Sequence, residues 1–172
     1  HESEFYDYVD WSKTKAFALG LNGLYINLYG REANGSVPPA EYEQIKKDIQ
    51  AKLNEVRDPE TGEKIITRAY DSREIYSGPY MALAPDIVVG YRSGYRISDE
   101  AVLGKFPRGI VGDRTDKWAA DHCMDPIVVP GLLMSNKEIR HPKPGLWDLA
   151  PTIIKNFGLT VPKEMDGKPI LA

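Results

Sequence analysis

Cysteine is all but missing from this chain. Its 172 residues contain one, Cys123, so no intramolecular disulfide can form. Histidine is nearly as scarce, with only His1, His122 and His141; imidazole chemistry has few places to sit. Long hydrophobic runs are absent too. The longest apolar stretch, residues 126–134, falls far short of the roughly 20 residues that span a bilayer, and no signal-peptide pattern is visible. Lysine and arginine form no block, the net charge is −3 and the pI is about 5.7. That leaves no electrostatic footprint for a nucleic-acid polymer or an anionic membrane. There is no GxSxG elbow, no GxxxxGKS/T phosphate loop and no CxxC pair, which removes three common catalytic or redox frameworks. "GYRSGY" (residues 90–95) lacks the strand–helix setting of a dinucleotide fingerprint and reads as a turn.

What remains is ample for a core. Hydrophobic residues make up 42% and charged residues 27%, with ten Tyr and three Trp, a composition that suits one domain of ordinary size. The first residues are His-Glu-Ser-Glu rather than Met, and the chain is expected to be a piece of a larger protein.

Residues 13–19 ("KTKAFAL") and 24–28 ("LYINL") predict two short strands, with turn chemistry in the "GLNG" between them. "GREANGSVPP" (30–39) is a loop. From 40 to 56, Tyr42, Ile45, Ile49, Leu53 and Val56 recur every three or four positions, the apolar stripe of a surface helix whose other face is Glu, Lys, Gln and Asp. "DPETG" (58–62) ends it. Strands are expected at 64–70 and 86–91, a helical turn at 72–76 and a hairpin return at 95–98. Residues 104–118 read as a long irregular segment, the kind that is often functional. The run at 126–135 reads as a buried strand broken at Pro130-Gly131. A helix is expected at 147–157, stopped by Gly158. Strands mixed with helices favour an α/β or α+β layered fold.

"WAADHCMDPIVV" (118–129) sets an acid beside a histidine just ahead of that apolar run. Imidazole is the commonest side-chain metal ligand and carboxylate its usual companion at hydrolytic zinc sites. Neighbours on a strand point to opposite faces, so Asp121 and His122 need not hold the same ion. Asp121 can instead orient a ligand, and His122 can be a plain structural histidine. Asp125 adds a third polar group. Cys123 reads as a thiol or as a small buried apolar residue, and His141, in "RHPKPG", as a solvated loop residue.

Several stretches together resemble one family: "VDWSKTKAFALGLNGLYINLYGRE" (9–32), "VRDPETGEKII" (56–66), "EIYSGPYMALAPDIVVGYRSGYR" (74–96), "ADHCMDPIVVPGLLMSN" (120–136), "DLAPTIIKNFGL" (148–159) and "MDGKPIL" (165–171). In this order they resemble the C-terminal part of alkaline phosphatase superfamily phosphohydrolases, nearest the type I phosphodiesterase/nucleotide pyrophosphatase group. The resemblance implies an α/β fold: the C-terminal portion of an alkaline-phosphatase-like mixed sheet flanked by helices, with a small α+β insertion at 30–70 carrying the helix at 40–56. It implies two divalent metals, usually zinc, and a threonine or serine nucleophile that attacks phosphorus. One family ligand is a histidine late in the chain, just before a terminal strand, and His122 occupies that place, with Asp121 supporting it.

The family's nucleophile and its other ligands, including the Asp-His pair of the "SDHG" type, lie upstream in such proteins and have no counterpart here. No catalytic residue is therefore assigned. One histidine cannot hold a catalytic zinc, which takes about three protein ligands, so the piece is expected to be inactive and metal-free alone. Its partners would be the rest of the parent chain and a phosphate ester. The alternative is a non-catalytic module that binds a partner through Tyr70, Tyr76, Tyr80, Tyr91 and Tyr95.

Overall fold

The computed structural model describes residues 8–102, 109–115, 117 and 123–172. It divides into two compact units, one up to Pro130 and one from Gly131 to Ala172. The coarse class is α/β.

The first unit is built on a four-stranded sheet: β1 (Ala16–Leu19), β2 (Gly23–Ile26), β3 (Ile66–Asp71) and β4 (Ile87–Tyr91), in the order β1-β2-β4-β3. Every neighbouring pair is antiparallel. β1 and β2 form the expected hairpin, with Leu19 opposite Gly23 and Ala16 opposite Ile26. Gly20 supplies the positive φ, 74°, that this turn requires. Phe17 stacks on Tyr25 across the hairpin, ring centroids 5.6 Å apart, a cross-strand pair that helps fix the register.

Helix α1 (Tyr42–Asn54) follows a single 3-10 turn at Pro39–Glu41, with proline at the start where its missing N–H costs nothing. It packs on β3. Leu53 and Val56 lean on the buried cluster of Ile65, Ile66 and Val89. Two polar side chains of α1 complete the outer edge of β3. Asn54 Oδ1 accepts from the Ala69 N–H at 2.8 Å, and Gln50 Nε2 donates to the Ala69 carbonyl at 3.0 Å. An edge strand with bare amides invites pairing by another chain, and here the helix takes that place.

Two expectations are corrected. The hairpin return at 95–98 is absent, because the chain turns at Tyr95 and enters a short helix, α3 (Asp99–Val102). Ser98 Oγ accepts from the Glu100 N–H, and this local capping wins over strand pairing. The run at 126–135 is not a buried strand either. Pro126–Val128 forms a 3-10 turn, and Ile127, Val129, Leu132 and Met134 are exposed. Pro126 and Pro130 each lack the N–H that a ladder needs. The helical turn at 72–76 is present as α2 (Ser72–Ile75), capped by Asp71, whose side chain accepts from the Arg73 N–H.

The second unit holds a 3-10 turn at Leu146–Asp148 running into α4 (Leu149–Asn156). Gly158, at φ 73°, ends α4 as expected. The tail is tied back to the helix. The Asp148 carboxylate accepts from the Gly145 N–H at 2.9 Å and the Lys168 N–H at 2.8 Å, and Thr152 Oγ1 accepts from the Ile170 N–H at 3.0 Å. Those backbone donors hold the Asp148 carboxyl below the usual carboxylate range.

Candidate functional site

Asp121 and His122, the residues carried over from the family resemblance, lie outside the described residues. The chain immediately after them is fixed at several points. The Cys123 carbonyl accepts from Asn22 Nδ2 at 3.1 Å. The Asp125 N–H donates to the Tyr91 carbonyl at 2.9 Å, at the end of β4. The Asp125 carboxylate is fully buried; it accepts from the Tyr70 hydroxyl at 2.7 Å and the Ile127 N–H at 2.9 Å. Asp125 is thus an anchor and a cap for the following turn, rather than a solvent-facing group at the mouth of a site. Burial, with the Asp125 bond second, pushes the Tyr70 phenol up.

Gly90 makes this close approach possible. A Cβ there would sit 2.2 Å from Asp125 Oδ2, well inside contact distance. Asn22 acts as a substitute strand residue on the other side of β4. Its carbonyl accepts from the Val89 N–H at 2.9 Å, and its Nδ2 donates to the Val89 carbonyl at 2.8 Å as well as to Cys123. Nothing in the "GLNG" turn pattern announces this second role.

Two further polar clusters lie on the same unit. Asp86, just ahead of β4, is buried; its carboxylate receives Arg31 Nη1 at 2.8 Å, Arg31 Nη2 at 2.6 Å, the Ile26 N–H at 2.6 Å and the Tyr42 hydroxyl. Burial alone would raise its pKa, but Arg31, Tyr42 and the Ile26 N–H outweigh burial and hold the carboxyl below its ordinary value. Tyr42 responds in the opposite sense, raised first by burial and then by its bond to Asp86. One turn further along α1, Lys46 is only 1% exposed, although the helical pattern put lysine on the outer face. Its Nζ lies 2.6 Å from Asp71 Oδ2 and 3.3 Å from Glu43 Oε2, but at angles too poor for hydrogen bonds. It also lies 5.0 Å from the centre of the Tyr42 ring. Arg73 completes the group, bonding Asp71 at 2.6 Å and Glu43 at 2.9 and 3.0 Å. Arg73 first, and Lys46 after it, hold the Asp71 carboxyl well below the usual range. The available signal for Lys46 was its spacing of four from Tyr42, which puts both on one face.

Both clusters are charge-compensated and internally bonded, which reads as architecture. The loop from Tyr29 to Gly35 encloses an open hollow of about 460 Å³. Arg31 contributes to its lining, but its guanidinium is already committed to Asp86, Glu32 and the Ile26 carbonyl.

Among the described residues, no group of three His, Cys, Asp or Glu stands close enough to hold a metal ion. Cys123 is half-buried. His141 is exposed, with Nδ1 accepting from the Lys143 N–H at 3.3 Å, as a loop histidine would. The five tyrosines considered as a binding surface differ in their surroundings. Tyr70 is bonded to Asp125 and Tyr95 to Asp58, while Tyr91 and Tyr95 pack against the core. Tyr76 and Tyr80 are exposed.

Comparison with protein-family models, with curated proteins and with solved structures yields no match.

Proposed function

We propose that this chain is the C-terminal part of a metal-dependent phosphohydrolase acting on phosphate mono- or diesters. Its sheet would be part of a larger alkaline-phosphatase-like mixed sheet. His122 would be one of the metal ligands and Asp121 its support. The observation that carries this reading is the ordered series of segments from residue 9 to 171. It is the whole order, rather than any one motif, that resembles the family.

Two features of the molecule support it. The peptide that follows His122 is bonded to the sheet at Asn22 and Tyr91, a rigid base of the kind a metal ligand needs. The second unit leaves Leu132, Met134, Trp147, Ile153 and Phe157 exposed, more apolar side chain than a small unit usually shows to water. A larger protein would cover it. Imidazole and carboxylate are donor types that suit zinc, but one histidine is not a set. The remaining ligands and the nucleophile belong to residues this chain does not contain, so no catalytic step is assigned here.

The alternative, a non-catalytic module, is favoured by the exposed pair Tyr76 and Tyr80 beside Ile75 and Leu83, all at least 42% exposed. One experiment separates the readings. Hydrolysis of p-nitrophenyl phosphate and bis(p-nitrophenyl) phosphate is followed with zinc or manganese. The samples are the protein from its complete reading frame, its His122→Ala variant and the 172-residue chain. Turnover by the first alone supports the phosphohydrolase reading, and the better substrate sets the class. Inert full-length protein, or a His122→Ala variant as active as wild type, moves the binding module ahead.

A further inference from the structure

We propose that Asn34 is a site of spontaneous covalent modification, at which the side-chain amide closes onto the Gly35 nitrogen and reopens as aspartate or isoaspartate. The proposal does not rest on the phosphohydrolase reading.

Asn22 and Asn34 are the asparagines of the chain that precede glycine. A glycine has no Cβ to keep its own nitrogen away from the side chain before it. The reaction asks three things of the fold: a side-chain amide free to turn, a following N–H that is lightly held, and a backbone that can rotate to bring the two together. The structure denies these at Asn22 and grants them at Asn34.

Asn22 is locked. Its amide donates to the Val89 carbonyl at 2.8 Å and the Cys123 carbonyl at 3.1 Å, and its own carbonyl accepts from the Val89 N–H at 2.9 Å. Gly23 already belongs to β2, opposite Leu19 of β1 and Val88 of β4. Rotation there would pull a strand out of the sheet.

Asn34 is exposed on a turn. Its main-chain carbonyl accepts from Asn27 Nδ2 at 3.1 Å, while its side-chain amide has no hydrogen-bond partner among the described residues. The Gly35 N–H donates to the Glu32 carbonyl at 3.2 Å, the long end of the usual range. Packing also dictates the glycine. A Cβ on Gly35 would sit 2.2 Å from the Leu28 carbonyl oxygen and 2.6 Å from the Tyr29 nitrogen, so the bulkier residues that would slow the reaction do not fit. The loop's own close approach imposes the reactive pair.

The step balances with water alone. The Gly35 nitrogen bonds to Asn34 Cγ and gives up its proton; the side-chain nitrogen takes up a proton and leaves as ammonia. Water then opens the resulting succinimide. Attack at Cγ restores the main chain with aspartate at position 34. Attack at the main-chain carbonyl carbon gives isoaspartate, which routes the backbone through Cγ and turns the carbonyl that Asn27 holds into a free carboxylate.

The test holds protein from the complete reading frame, folded, in warm and mildly alkaline buffer over weeks, with a parallel sample in urea. Both are digested at acidic pH and mapped by mass spectrometry. The mass gain of amide-to-acid conversion locates the site, and fragmentation tells isoaspartate from aspartate. In the folded protein, conversion at Asn34 is expected to outrun that at Asn22 by about tenfold or more, because Asn22 reacts only in locally opened molecules. In urea the two sites should converge. Asn34→Gln should lose the acidic species that the folded wild type accumulates. An amide retained at position 34 in the folded protein, whatever happens in urea, overturns the proposal, as does an Asn22 that converts as fast as Asn34 while the protein stays folded.

Discussion

Arg31 holds Asp86 with both of its terminal nitrogens, Nη1 to Oδ1 at 2.8 Å and Nη2 to Oδ2 at 2.6 Å. The loop that carries Arg31 is thereby fastened to the residue that opens β4. Asp86 is 4% exposed and also accepts from the Ile26 N–H and the Tyr42 hydroxyl. Replacing it with alanine strands a cation, a backbone donor and a phenol at once. Breaking a buried pair from one side costs about 3 to 5 kcal/mol. Urea unfolding of Asp86→Ala is expected to show a loss in that range; a loss under about 1 kcal/mol would mean that water already satisfies the cluster.

The two charged clusters set a pH dependence. The Asp86 and Asp71 carboxyls are both held below their ordinary value in the folded chain. A depressed carboxylate contributes stability above its unfolded pKa, near 3.9 for aspartate, and loses it as pH falls toward the folded value. Tyr42 is raised, so its contribution is present below the unfolded phenol value, about 10, and is lost as pH rises beyond it. Unfolding free energy followed against pH is expected to fall below about pH 5 and again above about pH 10. Asp86→Asn should flatten the acid limb, and Tyr42→Phe the alkaline one.

Gly90 and Asp125 are predicted to be coupled. A methyl group at position 90 would meet Asp125 Oδ2 at 2.2 Å, and forced overpacking costs about 1 to 3 kcal/mol. Asp125→Ala alone leaves the Tyr70 hydroxyl and the Ile127 N–H without their acceptor. In Gly90→Ala/Asp125→Ala the clash with the carboxylate is gone, and Tyr70 Cε2 at 3.0 Å is the close neighbour that remains. A double-mutant cycle should find the pair less destabilised than the sum of the singles, by about 1 kcal/mol or more. Strict additivity would show that the carboxylate does not lie against the strand.

Lys46 gives a prediction of the other sign. Its ammonium is buried and contacts Asp71 and Glu43 without well-aligned hydrogen bonds. Arg73 already bonds both carboxylates. Burying an ammonium costs several kcal/mol, and a misaligned pair does not return it. Lys46→Met keeps the packing of the stem and leaves the acids with a partner. Thermal melting is expected to find it no less stable than wild type. A drop of several degrees would show that the ion pair outweighs its desolvation.

The periodic elements were legible in the sequence. The hairpin at 16–26, α1 and α4 each announced themselves by alternation, a 3.6-residue stripe or a glycine stop, because those signals are local. What decided position by long-range contact was not legible. Lys46 looked like a solvated lysine because periodicity sorts residues by polarity and cannot see that Asp71 comes to meet it. The apolar run at 126–135 looked like a strand, but a strand needs a neighbour, and Pro126 and Pro130 deny it one. Asn22 looked like turn punctuation, since its partners lie 67 and 101 residues away. His122 and Asp121 drew attention through residue type and the family resemblance, and they lie outside the described residues.

The outer margin of β3 is spoken for. Asn54 and Gln50 occupy the amide and carbonyl of Ala69 that would otherwise face a new neighbour. β1 lies at the opposite margin of the sheet. If this sheet is the flank of a wider one, α1 serves as its border post. Additional strands would then have to arrive beside β1.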